Sequence, residues 1–218
     1  MATKRLSSAK GRNRSSNKAA AAEKRKLILD AAVKVFARKG YYGCRVSDIA
    51  EEAKIAYGLV YHYFKSKEDV LNSIFRERWG VFVELLKWLE QQEMPLNDKL
   101  SRIVGAVLEG YRLNSEMMEV VVMEIARNSK FFDKTNVEPV KQAIGCIEGM
   151  IRREIEAGRI RPGVEPRVAA YTFFSNVEAL MTGSVLGAFV VSNAEEQNRL
   201  RDQVVDMFLH GIAPEGAA

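Results

Sequence analysis

The sequence predicts an all-α protein of about nine helices, a three-helix helix-turn-helix unit followed by a larger helical domain. Three observations predict this. Apolar residues recur at i, i+3, i+4 and i+7 along most of the chain. Alternating β-branched runs are scarce, and there are only five prolines. The 218 residues are 47% hydrophobic, enough to bury one or two real cores.

The elements follow in order. Residues 1–26 hold nine bases against one acid, so this stretch carries +8 and the rest of the +5 chain carries −3. Residues 1–22 almost lack large apolar side chains and are expected to form a flexible basic arm, either simply solvated or an auxiliary phosphate contact. From Lys24 to Lys39 the residues Leu27, Ile28, Ala31, Ala32, Val35 and Phe36 fall at helical spacing, with Gly40 as a stop. A short helix spans Val46 to Ala53, and Lys54-Ile55-Ala56 turns into a second short helix, Tyr57 to Phe64. Ser66 is a candidate N-cap for a long helix, Asp69 to Gln91, which Met94-Pro95 breaks. Further helices read as Asp98–Asn114, Glu116–Asn128 and Asn136–Ala157. The run "AGRIRPGVEP" then makes a stop before Arg167–Val191 and Ala194–Gly211. The domain boundaries read as 23–75 and 76–213.

Several classes are disfavoured. Two cysteines, Cys44 and Cys146, make no disulfide framework and suit a reducing cytoplasm. The basic start is not followed by an apolar segment, so no signal peptide is read. Val168 to Ala194 is long and apolar, but Glu178 at its centre is costly in lipid, so a helix buried against protein is expected. With two histidines, two cysteines, no glycine-rich phosphate loop and no metal-ligand spacing, neither a catalytic site nor a metal or cofactor is expected.

The stretch "VSDIAEEAKIAYGLVYHYFKSKEDVL" resembles the DNA-binding signature of TetR-family transcriptional repressors. The positions that carry the resemblance are Ile49, Ala50, Ala53, Gly58, Leu59, Val60, Tyr61, Tyr63, Phe64, Lys67, Glu68, Val70 and Leu71. It departs at Lys54, where the family usually has Gly, at Ala56, where it has Ser or Thr, and at Cys44, where it has Thr. The resemblance covers about residues 24–75. It implies a regulator, typically a repressor, that binds a palindromic duplex operator and is released by a small hydrophobic effector.

On that reading Tyr57–Phe64 is the recognition helix. Tyr57, Leu59, Tyr61 and His62 are placed to reach bases or phosphates, Tyr63 to reach a phosphate, and Gly58 to let backbone and DNA approach. Val60 and Phe64 should pack inward. The helix has no formal charge, so Arg45, Lys54, Lys65 and Lys67 are the expected phosphate ligands, with backbone N–H groups at Val46 and Tyr57. Tyr61 also fits a half-buried core residue, and Lys65 a merely solvated lysine.

One such unit reads few base pairs, so a homodimer is expected. Gly183 and Gly187, four apart, would let two copies approach, with Thr182, Leu186, Val190, Val204 and Phe208 around them; an intrachain buried helix is the plainer alternative. The resemblance implies an effector pocket, assigned to Phe82, Leu86, Val107, Tyr111, Met118, Val121, Val122, Ile125, Ile147, Met150, Phe174 and Val177. Periodicity alone reads the methionine-rich stripe as core. "VVMEIARNSKFF" and "IEAGRIRPGVEPRVAA" are faintly similar to acyl-CoA-responsive fatty-acid regulators of the family, with Glu124 and Arg127 as candidate head-group anchors. An architectural DNA-binding protein without an effector is the alternative function.

Overall fold

The computed structural model describes residues 5–127, 134–189 and 191–212, with side chains described from residues 17 to 123, 137 to 189 and 191 to 211. The helices among them are α1 (Arg5–Lys39), α2 (Val46–Glu52), α3 (Tyr57–Tyr63), α4 (Lys67–Gln91), α5 (Leu96–Leu113), α6 (Ser115–Arg127), α7 (Lys134–Glu156), α8 (Pro166–Val185) and α9 (Ala194–Ile212). There is no strand among the described residues. The chain divides into two compact units, residues 1–74 and 75–218, and the division falls inside α4.

The first unit is built on a small apolar core. Ile28, Leu29, Ala32, Val35 and Phe36 of α1 are buried, together with Ile49 and Ala50 of α2, Val60 of α3, Phe64, and Val70, Leu71 and Ile74 of α4. Its turns carry their own bonds. At the end of α2 the Ile55 N–H donates to the Ala50 carbonyl and the Lys54 N–H to that of Glu51. That pair of bonds is a Schellman motif, and Lys54 takes its left-handed position with φ of 53°. α3 begins from Ala56, which has no side-chain oxygen to cap it. α4 is capped better, because the Ser66 Oγ accepts from the Asp69 N–H and the Asp69 carboxylate accepts from the Lys65 N–H.

α1 departs from expectation. It starts at Arg5, far ahead of the Lys24 predicted from hydrophobic spacing, and so takes in most of the arm read as flexible. The alanine run Ala19–Ala22 has the highest helix propensity of any residue type and no proline interrupts it, so the backbone continues once Ile28 and Phe36 anchor it.

In the second unit α7 lies along α8 and α5 along α9, with α6 against α5 and α8. Leu86, Leu100, Ile103, Val107, Ile147, Met150, Phe173, Val177 and Phe208 belong to its core. Three helix starts carry side-chain caps. Asn114 accepts from Met117, Glu165 from Val168 and Asn193 from Glu196, each through its side chain. The end of α8 is the main surprise. The helix stops at Val185, not Val191, because Gly187 adopts φ of 74° and closes a second Schellman motif, Ala188 N–H to Gly183 and Gly187 N–H to Ser184. Among the described residues no helix is long and apolar enough to cross a membrane.

The uncapped start of α3 gives a prediction. Ala56→Ser supplies the missing oxygen and should raise stability by about 1 kcal/mol, read as a higher Tm; an unchanged or lower Tm would contradict this account of the turn.

Candidate nucleic-acid interface

α3 has seven residues, too few to be stable alone. It is held by one side. Val60 and Phe64 are buried, the Arg25 guanidinium lies over the Phe64 ring at 5.1 Å, and Leu59 and Tyr63 are half-buried. The helical repeat then turns Tyr57, Gly58, Tyr61 and His62 outward, and all four are exposed. Tyr57 is 53% and Tyr61 46% exposed, so Tyr61 is a surface residue and not a core one. Their hydroxyls lie 3.2 Å apart and their rings meet edge-on at 5.2 Å. The His62 ring stands against Tyr63 at 5.1 Å.

Gly58 is informative because the chain itself makes no demand for it. Its φ is not in the left-handed region, and a Cβ there would meet nothing within 4 Å. A glycine inside a helix costs roughly 0.5–1 kcal/mol relative to alanine. The chain's own packing does not require the gap on this outward face.

The cations around α3 divide into two groups. Arg45, Lys54 and Lys65 are exposed, and none forms an ion pair with another described residue. Arg38 and Lys39 are instead paired with Glu52 and Asp48 of α2, each at 2.9 Å. Asp48 also accepts from the Arg45 backbone N–H, and that bond, followed by the Lys39 ammonium, holds its carboxyl below the usual range. Half-buried Val46 opens α2 behind this cap.

Lys67 corrects the sequence reading. Its ammonium donates to the backbone carbonyls of Tyr41 and Cys44, the latter at 2.7 Å, and sits 4.5 Å from the centre of the Tyr41 ring. The α1–α2 connection presents two carbonyls that lack helical partners, and a lysine at the start of α4 satisfies both. Lys67 therefore positions the helix-turn-helix and is not a free phosphate ligand. Charge in the sequence gives no hint of this, since the partners are main-chain atoms.

The residues assigned to an effector pocket lie in the second unit. Leu86, Val107, Ile147, Met150 and Val177 are buried against one another in its core. Phe82, Tyr111, Met118, Val121, Val122 and Phe174 are half-buried. The side chains of Ile125, Glu124 and Arg127 lie outside the described residues. Trp79, missed in the sequence, joins this group, with its ring 5.8 Å from Phe82 and 6.0 Å from Phe174. The Tyr111 hydroxyl donates to the Ser184 carbonyl at 2.9 Å. Two surface clefts of about 430 and 520 Å³ lie elsewhere, on faces of α4, α5 and α9, and none of the assigned residues lines them.

The residues assigned to a dimer interface need revision. Gly183 and Gly187 do not share a helix face, because Gly187 lies beyond the helix in the closing turn. Gly183 makes room for the Phe189 ring, which a Cβ would overlap. Phe208 is only 5% exposed and packs on Phe173, centroids 5.1 Å apart, so it belongs to the core. Thr182 and Val204 are half-buried, Leu186 is exposed, and Val190 lies outside the described residues. The sequence reading missed an exposed stripe along α8, Val168, Tyr171, Ser175 and Ala179, leading to Leu186. Its spacing was available, but on a helix apolar all round nothing marks which side the chain's own core leaves open.

With this geometry in hand, two comparisons decide the class. Residues 28–74 match the family described as bacterial regulatory proteins, tetR family. The fatty acid metabolism regulator protein of Bacillus subtilis is 27% identical over 185 residues, 85% of this chain and 93% of that protein. The chain carries a tetR-family DNA-binding region and is similar over most of its length to a regulator of fatty acid metabolism. It is a transcription regulator and not an enzyme. Two solved structures extend the likeness over most of the chain. The transcriptional regulator FadR from Bacillus subtilis in complex with stearoyl-CoA superposes with a TM-score of 0.75 at 27% identity, covering 86% of this chain and 98% of that one. The fatty acid degradation regulator FadR from Bacillus halodurans gives 0.76 at 26% identity, covering 86% and 95%.

Two lysines of this tetR-family unit should separate cleanly. Lys67→Met should cost about 2 kcal/mol of stability, since it takes a charged donor from the Tyr41 and Cys44 carbonyls, while leaving the salt dependence of DNA binding unchanged. Lys54→Gly should add roughly 0.5–1 kcal/mol by relieving the left-handed lysine, and flatten the slope of log affinity on log salt by about 0.9 per subunit. Thermal melts and binding titrations at several salt concentrations check both; a reversed pattern would return Lys67 to the phosphates.

Proposed function

We propose that the protein is a homodimeric repressor that binds a palindromic operator and is released from it by long-chain acyl-CoA. The observation that carries the DNA-reading half is the outward face of α3: uncharged, hydrogen-bonding, opened at Gly58 and ringed by Arg45, Lys54 and Lys65. Cations supply affinity that falls with salt, whereas base edges are read by neutral donors, acceptors and apolar atoms. Tyr57, Gly58, Tyr61 and His62 are the proposed groove residues, and Leu59 and Tyr63 flank them.

One α3 spans few base pairs, so two copies must act together on adjacent half-sites. The exposed stripe of α8, with Leu186 at 66% and Met207 of α9 at 76% exposure, is the proposed face for the second copy. Beyond Arg167, which pairs with Glu148 at the helix start, α8 has one charge, Glu178.

The effector half rests on likeness and chemistry together. FadR from Bacillus subtilis binds stearoyl-CoA, and the likeness to it runs through the second unit. The half-buried Trp79, Phe82, Tyr111, Met118 and Phe174 are large and adaptable and fringe a core of Leu86, Ile147 and Met150. An acyl chain entering there would exchange these contacts for its own. Residues 76–213 would then bias DNA binding by residues 23–75 through α4, to which both units contribute. A regulator of this kind works in the cytoplasm, where its DNA and its acyl-CoA both are.

Gel-shift titration of a duplex selected from random DNA tests the reading. Stearoyl-CoA should release the protein at micromolar concentration, and free stearic acid should not; equal effects of both, or of neither, would contradict the effector assignment. Gly58→Ala tests the face. It should raise stability by about 0.5–1 kcal/mol, by helix propensity alone, yet weaken specific DNA binding at least tenfold. Unimpaired binding by this stabilised variant would mean that nothing approaches the helix there.

A further inference from the structure

Two exposed hydroxyls 3.2 Å apart on the outward face of α3 have a hydrogen-bonding pattern that neither has alone. A phenol carries one donor hydrogen and accepts through its oxygen. When one tyrosine donates to the other, the first is left with an oxygen that accepts and the second with a hydrogen that donates. The pair then presents one acceptor beside one donor, whichever of Tyr57 and Tyr61 comes first. This is the pattern of a side-chain carboxamide. The edge-on ring contact at 5.2 Å and the one-turn spacing fix the two oxygens relative to each other. The bond to Tyr57 also raises the pKa of Tyr61. Gly58, between them in sequence, leaves open space beside the pair.

We propose that Tyr57 and Tyr61 act as one base-reading element that selects adenine at one position of each half-site. The claim rests on the DNA-reading role of α3 and specifies its chemistry. Adenine offers the N6 amino donor beside the N7 acceptor in the major groove, and guanine offers two acceptors, O6 and N7. Against adenine a closed chain forms: N6–H to the first tyrosine oxygen, its O–H to the second, and that O–H to N7. Every donor in it points the same way around, so each bond polarises the next. Guanine would need a donor from both hydroxyls, which breaks the bond between them.

The test starts from operators that the full-length protein selects from a random duplex pool. The selection is repeated with Tyr57→Phe, Tyr61→Phe and the double variant. The wild type should require adenine at one position per half-site. Each single variant should relax that position alone, by roughly tenfold, and the double variant should do no more than either single one. Wild-type protein on duplexes with 7-deazaadenine there, which lacks N7, or with purine, which lacks the amino group, should lose about as much. These arms need no protein variant, so they stand even if a substitution disturbs folding. A guanine preference at the affected position, additive losses, or losses equal on all sequences as for a phosphate contact would overturn the pairing and leave α3 a DNA reader. Failure of the wild type to enrich any sequence would overturn the DNA-reading role itself, and the pairing with it.

Discussion

The outward chemistry of this protein depends on the burial of two side chains. Val60 and Phe64 hold a seven-residue helix that has no stability of its own, and in doing so they decide which face it shows. Everything on the other side follows from the helical repeat: Tyr57 and Tyr61 in a pair, His62 beside them, Gly58 leaving a gap. The turn before the helix serves the same end. Lys54 accepts a left-handed backbone that glycine would adopt without strain, and it keeps an exposed cation at the start of α3 in exchange for that strain.

On the proposed reading, affinity and selectivity are carried by different residues. The recognition helix is neutral, so its contacts depend on hydrogen-bond pattern and shape, which salt does not screen. The free cations sit at its margins. Of the bases near α2, Arg38 and Lys39 are neutralised by Glu52 and Asp48, and Lys67 is engaged by backbone carbonyls. That leaves Arg45, Lys54 and Lys65 as the unpaired cations around α3 among the described residues, and their contribution to binding should fall with salt.

How much of this was legible in the sequence varies with the kind of interaction. The short helices α2 and α3 were placed to within a residue, because their apolar spacing and the fixed motif agree. Ser66 as a cap was readable too, since its partner lies three residues away. Longer-range or conformational facts were not. Lys67 looked like any surface lysine until its carbonyl partners, 23 and 26 residues earlier, came beside it. Gly187 read as a helix-packing glycine, but its role is set by a positive φ that ends α8. Phe208 read as an interface residue because periodicity marks an apolar face and not which partner covers it. At Gly58 the sequence marks only the missing side chain; that the chain itself leaves the space beside it open required coordinates.

The central claim is that the neutral face of α3 reads base edges on two matched half-sites. Hydroxyl-radical footprinting of the purified protein on its selected duplex tests this most directly. The account predicts two protected tracts related by a dyad, their centres one helical turn of about 10–10.5 bp or a multiple of it apart. Uniform protection along the duplex, or one unpaired tract, would contradict it.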